Sequence, residues 1–134
     1  MGSTPNVPSL NASADTTPYT FVKITGNFTA AKCTVATDLP IGVTDGSVYQ
    51  YDSTYNALSG NQLSLQPGDI VQVQCAGSIS AGALVQPDSN GYAVTASTTA
   101  ANRFAGQQYV ALQDGTSGAI IWIMRTGAGA TYPA

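Results

Sequence analysis

The chain carries one short pattern twice. Gly68 to Gly77 (GDIVQVQCAG) and Gly118 to Gly127 (GAIIWIMRTG) are each ten residues long: a glycine, a run of strand-forming residues and a closing glycine. Strands of this length bounded by turn residues are the unit of an all-β domain. Each copy also follows a shorter strand with an internal glycine, Pro40-Ile41-Gly42-Val43 before the first and Phe104-Ala105-Gly106 before the second. The pattern predicts two passes over one small β plan. The two copies differ in polarity. Val71, Val73 and Cys75 alternate with Gln72 and Gln74, as in a strand with one wet face. Ile120 to Met124 is apolar on both faces, which predicts a strand that is central or lies under a partner, with Trp122 in the core.

Composition removes the main competitor, a helical fold. Only 8% of the residues are charged, against roughly 25% in an ordinary soluble domain. All seven acids are aspartate, and Lys23, Lys32, Arg103 and Arg125 are the only basic residues. Glu, Lys and Arg are the residues that cover solvent-facing helix positions, so a long surface helix has nothing to be made from. With 134 residues and 43% hydrophobic content, the chain can bury a real core as one domain. Residues 1–18, with Pro5, Pro8 and Pro18 among Ser, Thr, Asn and Ala, read as an extended arm. Residues 19–127 read as a single β-barrel-like domain and residues 128–134 as a flexible tail.

Within the domain, Tyr19 to Thr25 is strand-like, with Tyr19 and Phe21 on one face and Val22 and Ile24 on the other. Gln66-Pro67-Gly68-Asp69 suits a type II turn, and Asn90-Gly91 between two apolar runs predicts a hairpin. Ser47 to Asn61 holds Tyr49, Tyr51 and Tyr55 among Ser, Asp and Asn. Tyrosines so placed offer rigid amphipathic area for recognition, or simply pack on each other in an outer hairpin.

Several kinds of chemistry are absent from the sequence. Without histidine there is no Ser-His-Asp or Cys-His arrangement. The aspartates lie almost all beside Gly, Pro, Ser or Asn, where turn formation accounts for them. No enzyme, cofactor or metal site is expected. Cys33 and Cys75 lack the further Cys or His ligands of structural zinc, and free buried thiols are expected, with a disulfide as the alternative. A net charge of −3 with four scattered cations gives no footprint for nucleic acid. No apolar run approaches the ~20 residues of a bilayer span, so no membrane partner is expected. The N-terminus lacks the basic and apolar regions of a signal peptide, yet the Ser/Thr/Gly/Asn-rich composition resembles that of exposed extracellular β proteins. A virus particle component, assembled in the host cytoplasm and later exposed, satisfies both. Unprotected strand edges point the same way: with four cations the chain cannot blunt them by charge, so they must close into a barrel or be covered by other chains.

The stretch Ile79-Ser80-Ala81-Gly82-Ala83-Leu84-Val85, followed by Gly91-Tyr92-Ala93-Val94-Thr95-Ala96, resembles the hairpin of tailed-bacteriophage capsid decoration (cement) proteins. Phe104-Ala105-Gly106 and Gly118 to Arg125 occupy the places of that family's last two strands, and the resemblance spans residues from about 21 to 127. It implies a small β-barrel or β-tulip-like domain on the outer capsid surface that bridges and stabilises major capsid proteins. It also implies a homo-oligomer, with a trimer favoured. Contact candidates are Pro5, Val7, Pro8 and Leu10 of the arm, which could add a strand to a capsid subunit, together with Tyr19, Phe21, Tyr49, Tyr51 and Tyr55. Two features depart from the family: the aromatic IIWIM strand and the Tyr-rich insertion. The alternative is a head or tail fibre domain or an adhesin-like module with its tyrosines on a glycan.

Overall fold

Phe21 and Val22 are neighbours on one strand, and both are completely buried, on opposite sides of it. That places a layer on each side of the strand and organises the fold. The computed structural model describes residues 10–35, 38–46, 54–96 and 109–126, and among them it is all-β without a helix. Strands β1 (Asn11–Ala12), β2 (Phe21–Gly26), β3 (Thr29–Lys32) and β4 (Gly42–Val43) form one sheet in the order β1-β3-β2-β4. Strands β5 (Ile70–Gln74), β6 (Leu84–Pro87), β7 (Ala93–Thr95), β8 (Tyr109–Ala111) and β9 (Ile120–Arg125) form a second, ordered β5-β9-β8-β6-β7.

Val22 looks into a small cluster with Ala12, Ala30, Ala57 and Leu63. Phe21 looks into the main core, with Cys33 and Val43 from its own sheet and Val71, Val73, Val85, Tyr109, Ile121 and Ile123 from the other. The Phe21 and Tyr109 rings meet at 5.2 Å and an interplanar angle of 53°, a tilted aromatic contact. Because this core draws on both sheets, the described residues make one folded unit.

The two echoing segments are β5 and β9, and they lie side by side. They pair antiparallel over five positions, from Ile70↔Met124 to Gln74↔Ile120. Their leading glycines share a conformation too: Gly68 has φ +84° and Gly118 φ +87°, the left-handed region where a side chain is strained. The repeat is therefore local. It makes two adjacent strands of one sheet, while Gly42 and Val43, which precede the first copy, belong to the other sheet. Phe104-Ala105-Gly106, which precedes the second, lies outside the described residues. The expected hairpin is present as β6-β7, paired from Val85↔Thr95 to Pro87↔Ala93.

The expected edge problem is solved inside the chain. On its side away from β9, β5 is met by the Gln66 side chain, which accepts from the Gln72 N–H (2.7 Å) and donates to the Gln72 carbonyl (2.6 Å). The Tyr19 carbonyl accepts from the Gln74 N–H (3.0 Å). Just past β5, Cys75 bridges in parallel to Ala93 of β7, so the outer strands of the sheet touch and it curls towards a barrel. On β9, where pairing with β8 runs out, the Gln113 side chain accepts from the Trp122 N–H at 3.0 Å.

Residues 10–18, expected within the extended arm, are built into the domain instead. Asn11 and Ala12 pair in parallel with Thr29 and Ala30, and Thr16 bridges to Ala57. Ala12 and Thr16 are buried, because these short side chains let the backbone lie close on its own sheet.

The β6-β7 turn forms the joint between the sheets: the Gly91 carbonyl accepts from the Phe21 N–H at 2.8 Å. A Cβ on Gly91 would stand 2.5 Å from Thr20 Cγ2 and 2.9 Å from the Phe21 carbonyl oxygen, whereas one on Gly118 would meet nothing within 4 Å. Both glycines have positive φ, so Gly118→Ala should cost about 1–2 kcal/mol from conformation alone. Gly91→Ala should cost clearly more; equal losses in urea melts would refute the joint. Gln66→Ala should cost about 2–3 kcal/mol, at roughly 1 kcal/mol for each of its three side-chain hydrogen bonds.

Candidate functional site

The face of the second sheet turned away from the core is apolar where a monomer's surface is normally mixed. On β9, Ile121 and Ile123 point into the core while Ile120, Trp122 and Met124 point out. The strand is central, between β5 and β8, as its composition predicts. Trp122 is not in the core, however: it is 45% exposed. Alternation along a strand can bury only every second side chain against a single layer, and among the described residues no second layer lies over this face.

Cross-strand register gathers these side chains. Ile70 stands opposite Met124, Met124 opposite Val110, and Val110 opposite Leu84, an uncharged row across four strands. Beside it Gln72 faces Trp122, and Leu112 donates its N–H to the Trp122 carbonyl at 2.9 Å. Ile70, Leu112, Ile120, Trp122 and Met124 are thus five exposed large apolar side chains on one surface. Arg125, next along β9, turns away from it: its guanidinium donates to the Ile41 carbonyl (2.9 Å) and the Tyr109 hydroxyl (2.7 Å), tying the sheets together.

A second feature is a cleft of about 410 Å³ lined by Thr17, Pro18, Tyr19, Gly46, Thr54, Gln74 and Tyr92. None of these side chains is ionisable except the two tyrosines. Tyr19 has φ +55°, unusual for a residue with a side chain. The strain has a structural account, since this conformation brings the Tyr19 carbonyl to the β5 edge. The Tyr19 hydroxyl lies over Gly46, where a Cβ would collide with it.

The candidates named from the sequence are dispersed. Phe21 is fully buried on Tyr109 and belongs to the core, because its face of β2 meets the second sheet. Leu10 is partly buried against the small cluster. Tyr19 lines the cleft, and Tyr55 is half-buried outside it. Pro5, Val7, Pro8, Tyr49 and Tyr51 lie outside the described residues. The doubly apolar Ile120 to Met124 run was read from the sequence as central or under a partner, but its outward side chains were not among the contact candidates named.

Two aspartates serve turns: Asp38 accepts from the Thr34 and Val35 N–H groups and Asp88 from Asn90 and Tyr92. Asp114 and Asp15 instead accept from distant segments, at the Ala81 and Ser59 N–H groups. Burial acts to raise the Asp38 pKa. The N–H groups of Thr34 and Val35 and the Lys23 ammonium, 2.9 Å away, outweigh it and hold the carboxyl below its usual range. Cys33 and Cys75 are free and buried. Burial, reinforced by Asp38 and opposed by Lys23, pushes the Cys33 thiol up to about 12, and burial also raises Cys75.

The sequence matches no protein-family model and no curated relative. The fold does have a solved counterpart, the N base of the head fiber gp8.5 of bacteriophage phi29, at a TM-score of 0.63 and 14% identity. The match covers 92% of this chain and 96% of that one. At that identity the likeness is one of fold.

Both thiols should resist alkylation in the native protein at pH 8 and react at once in guanidinium. Stability should fall as pH rises from about 9 towards about 12, because the unfolded Cys33 thiol ionises while the folded one stays protonated. The slope should flatten in Cys33→Ala; an unchanged slope would count against the assignment.

Proposed function

We propose that this chain is a structural, non-catalytic protein of a bacteriophage particle, attached to the outside of the head in contact with the major capsid protein. The observation that carries the reading is the fold match to a head-fibre base over nearly the whole of both chains. Three features support it. The polar surface is built from Ser, Thr, Asn and Gln rather than charge, which suits a long-lived exposed particle. Asp15, Asp38, Asp45, Asp88 and Asp114 all accept structural hydrogen bonds. Among the described residues an apolar sheet face stands exposed, which is suited to protein contact.

Within this reading, the chain acts as a decoration protein whose contacts to neighbouring capsid subunits stabilise the expanded head. Many modest contacts from many copies would add up through avidity. A second reading, the base of a head fibre, is favoured by the particular neighbour found. The two differ in their mechanical consequence, since decoration strengthens the lattice whereas a fibre base merely stands on it.

The test is to add purified protein to heads of the parent phage that lack it. Co-sedimentation with expanded heads, outer-surface density by cryo-EM and a higher temperature of genome release are the results expected of decoration. Binding with an unchanged release temperature and density projecting outward would point to the fibre base. Failure to bind any head form, or an internal location, would refute both. The truncation that tests the arm is removal of residues 1–9, since residues 10–18 carry part of the fold.

A further inference from the structure

We infer that the outer face of β5, β9 and β8 is a self-association surface, its occupant a second copy of this chain. The inference goes beyond the particle reading and concerns the isolated protein.

Size is the first argument. Five large apolar side chains, Ile70, Leu112, Ile120, Trp122 and Met124, are each between 37% and 53% exposed. At on the order of 100 Å² each, they present roughly 500 Å² of contiguous apolar surface, near the upper end for a monomer. A standard interface takes about 800 Å² from each partner, with an apolar centre and a polar rim. The patch has the dimensions of such a centre, and Gln72 and Gln74 stand beside it as rim.

Charge is the second argument. The cross-strand row from Ile70 through Met124 and Val110 to Leu84 contains no ionisable group, and neither does the row of Gln72 and Trp122. A charged patch repels its own copy; this one does not. The cation on β9, Arg125, is turned inward onto Tyr109 and Ile41. The flanking residues Asp69 and Asp114 are both acidic. A partner attracted by charge finds nothing here to read, whereas an identical apolar face matches in chemistry by construction. Two sheet faces can interdigitate their outward side chains as the layers of a β-sandwich do. Trp122, at the middle of the central strand, is the natural anchor.

Association through an apolar face has a definite salt response. Sulfate should strengthen it, by favouring apolar burial. Docking held by ion pairs would weaken instead.

The test uses the full-length protein in sedimentation velocity from sub-micromolar to near-millimolar concentration, with and without ammonium sulfate. The chain has one tryptophan, so acrylamide quenching of Trp122 reads the face directly. Expected are a mass of two or more copies at high concentration, stronger association in sulfate, and a Trp122 that becomes protected as copies associate. Trp122→Thr, which keeps strand propensity at a solvent-facing site, should raise the dissociation constant by at least about thirtyfold. Its circular dichroism and melting should remain those of the parent.

A monomer throughout the range overturns the proposal, as does undiminished association of Trp122→Thr. If that variant misfolds, quenching of the parent protein still decides: a Trp122 equally exposed in every state overturns it. A Trp122 shielded already in the monomer means that the chain's own segment covers the face, and shielding only on added heads means that the capsid does; both are refutations. Head binding by a protein that stays monomeric would leave the particle reading standing and sink this one.

Discussion

The joint between the two sheets is a backbone hydrogen bond made possible by the absence of a side chain. Gly91 sits where the β6-β7 turn presses on β2, and its carbonyl receives the Phe21 N–H. That contact places Phe21 against Tyr109, and Tyr109 in turn holds the Arg125 guanidinium, which reaches across to the Ile41 carbonyl. Backbone, aromatic and charged contacts thus meet along one seam. Without it the four-stranded sheet would keep only its own small cluster, in which Val22 and Leu63 are the only fully buried side chains larger than alanine, too little apolar burial to offset the ordering of its strands.

A charge-poor chain also needs another way to finish its sheets. Charged side chains usually discourage pairing at exposed edges; here glutamine amides do the work by bonding to the edge. Gln66 offers both a donor and an acceptor to Gln72, as a neighbouring strand would, and Gln113 extends the ladder beside Trp122. Tyr19 contributes its carbonyl from a strained backbone. The curled sheet satisfies its backbone groups locally, leaving sheet faces rather than edges as the surface for contact.

Much of this was legible in the residues. Helix formers are scarce, so the all-β class followed; Pro67-Gly68 and Asn90-Gly91 announced their turns, and the alternation of Val71, Val73 and Cys75 with glutamines announced a half-buried strand. What escaped was relational. Gly68 and Gly118 look like the starts of separate repeats, and nothing local says that the strands they begin are neighbours. Trp122 was expected inside because apolar residues on both faces imply cover on both, which holds only if a second layer exists within the same chain. Residues 10–18 look like an arm because short polar side chains carry no apolar periodicity, yet backbone hydrogen bonds, with Leu10 and Ala12 against the small cluster, lay them on the sheet. Phe21 was assigned to a surface because a strand's two faces are interchangeable until the second sheet chooses one.

The pairing of β5 with β9 has a consequence for how the molecule comes into being. The partners are separated by about fifty residues, and β9 lies near the end of the described chain. Contacts so distant in sequence form late, because the loop must close before they return any stabilisation. A nascent chain emerging from the ribosome therefore displays Phe21, Val43, Val71 and Val73 without their cover until β9 has been made. The sheet is completed only when β9 joins it, and the stretch of synthesis before that strand appears is the period when these residues are most exposed to aggregation.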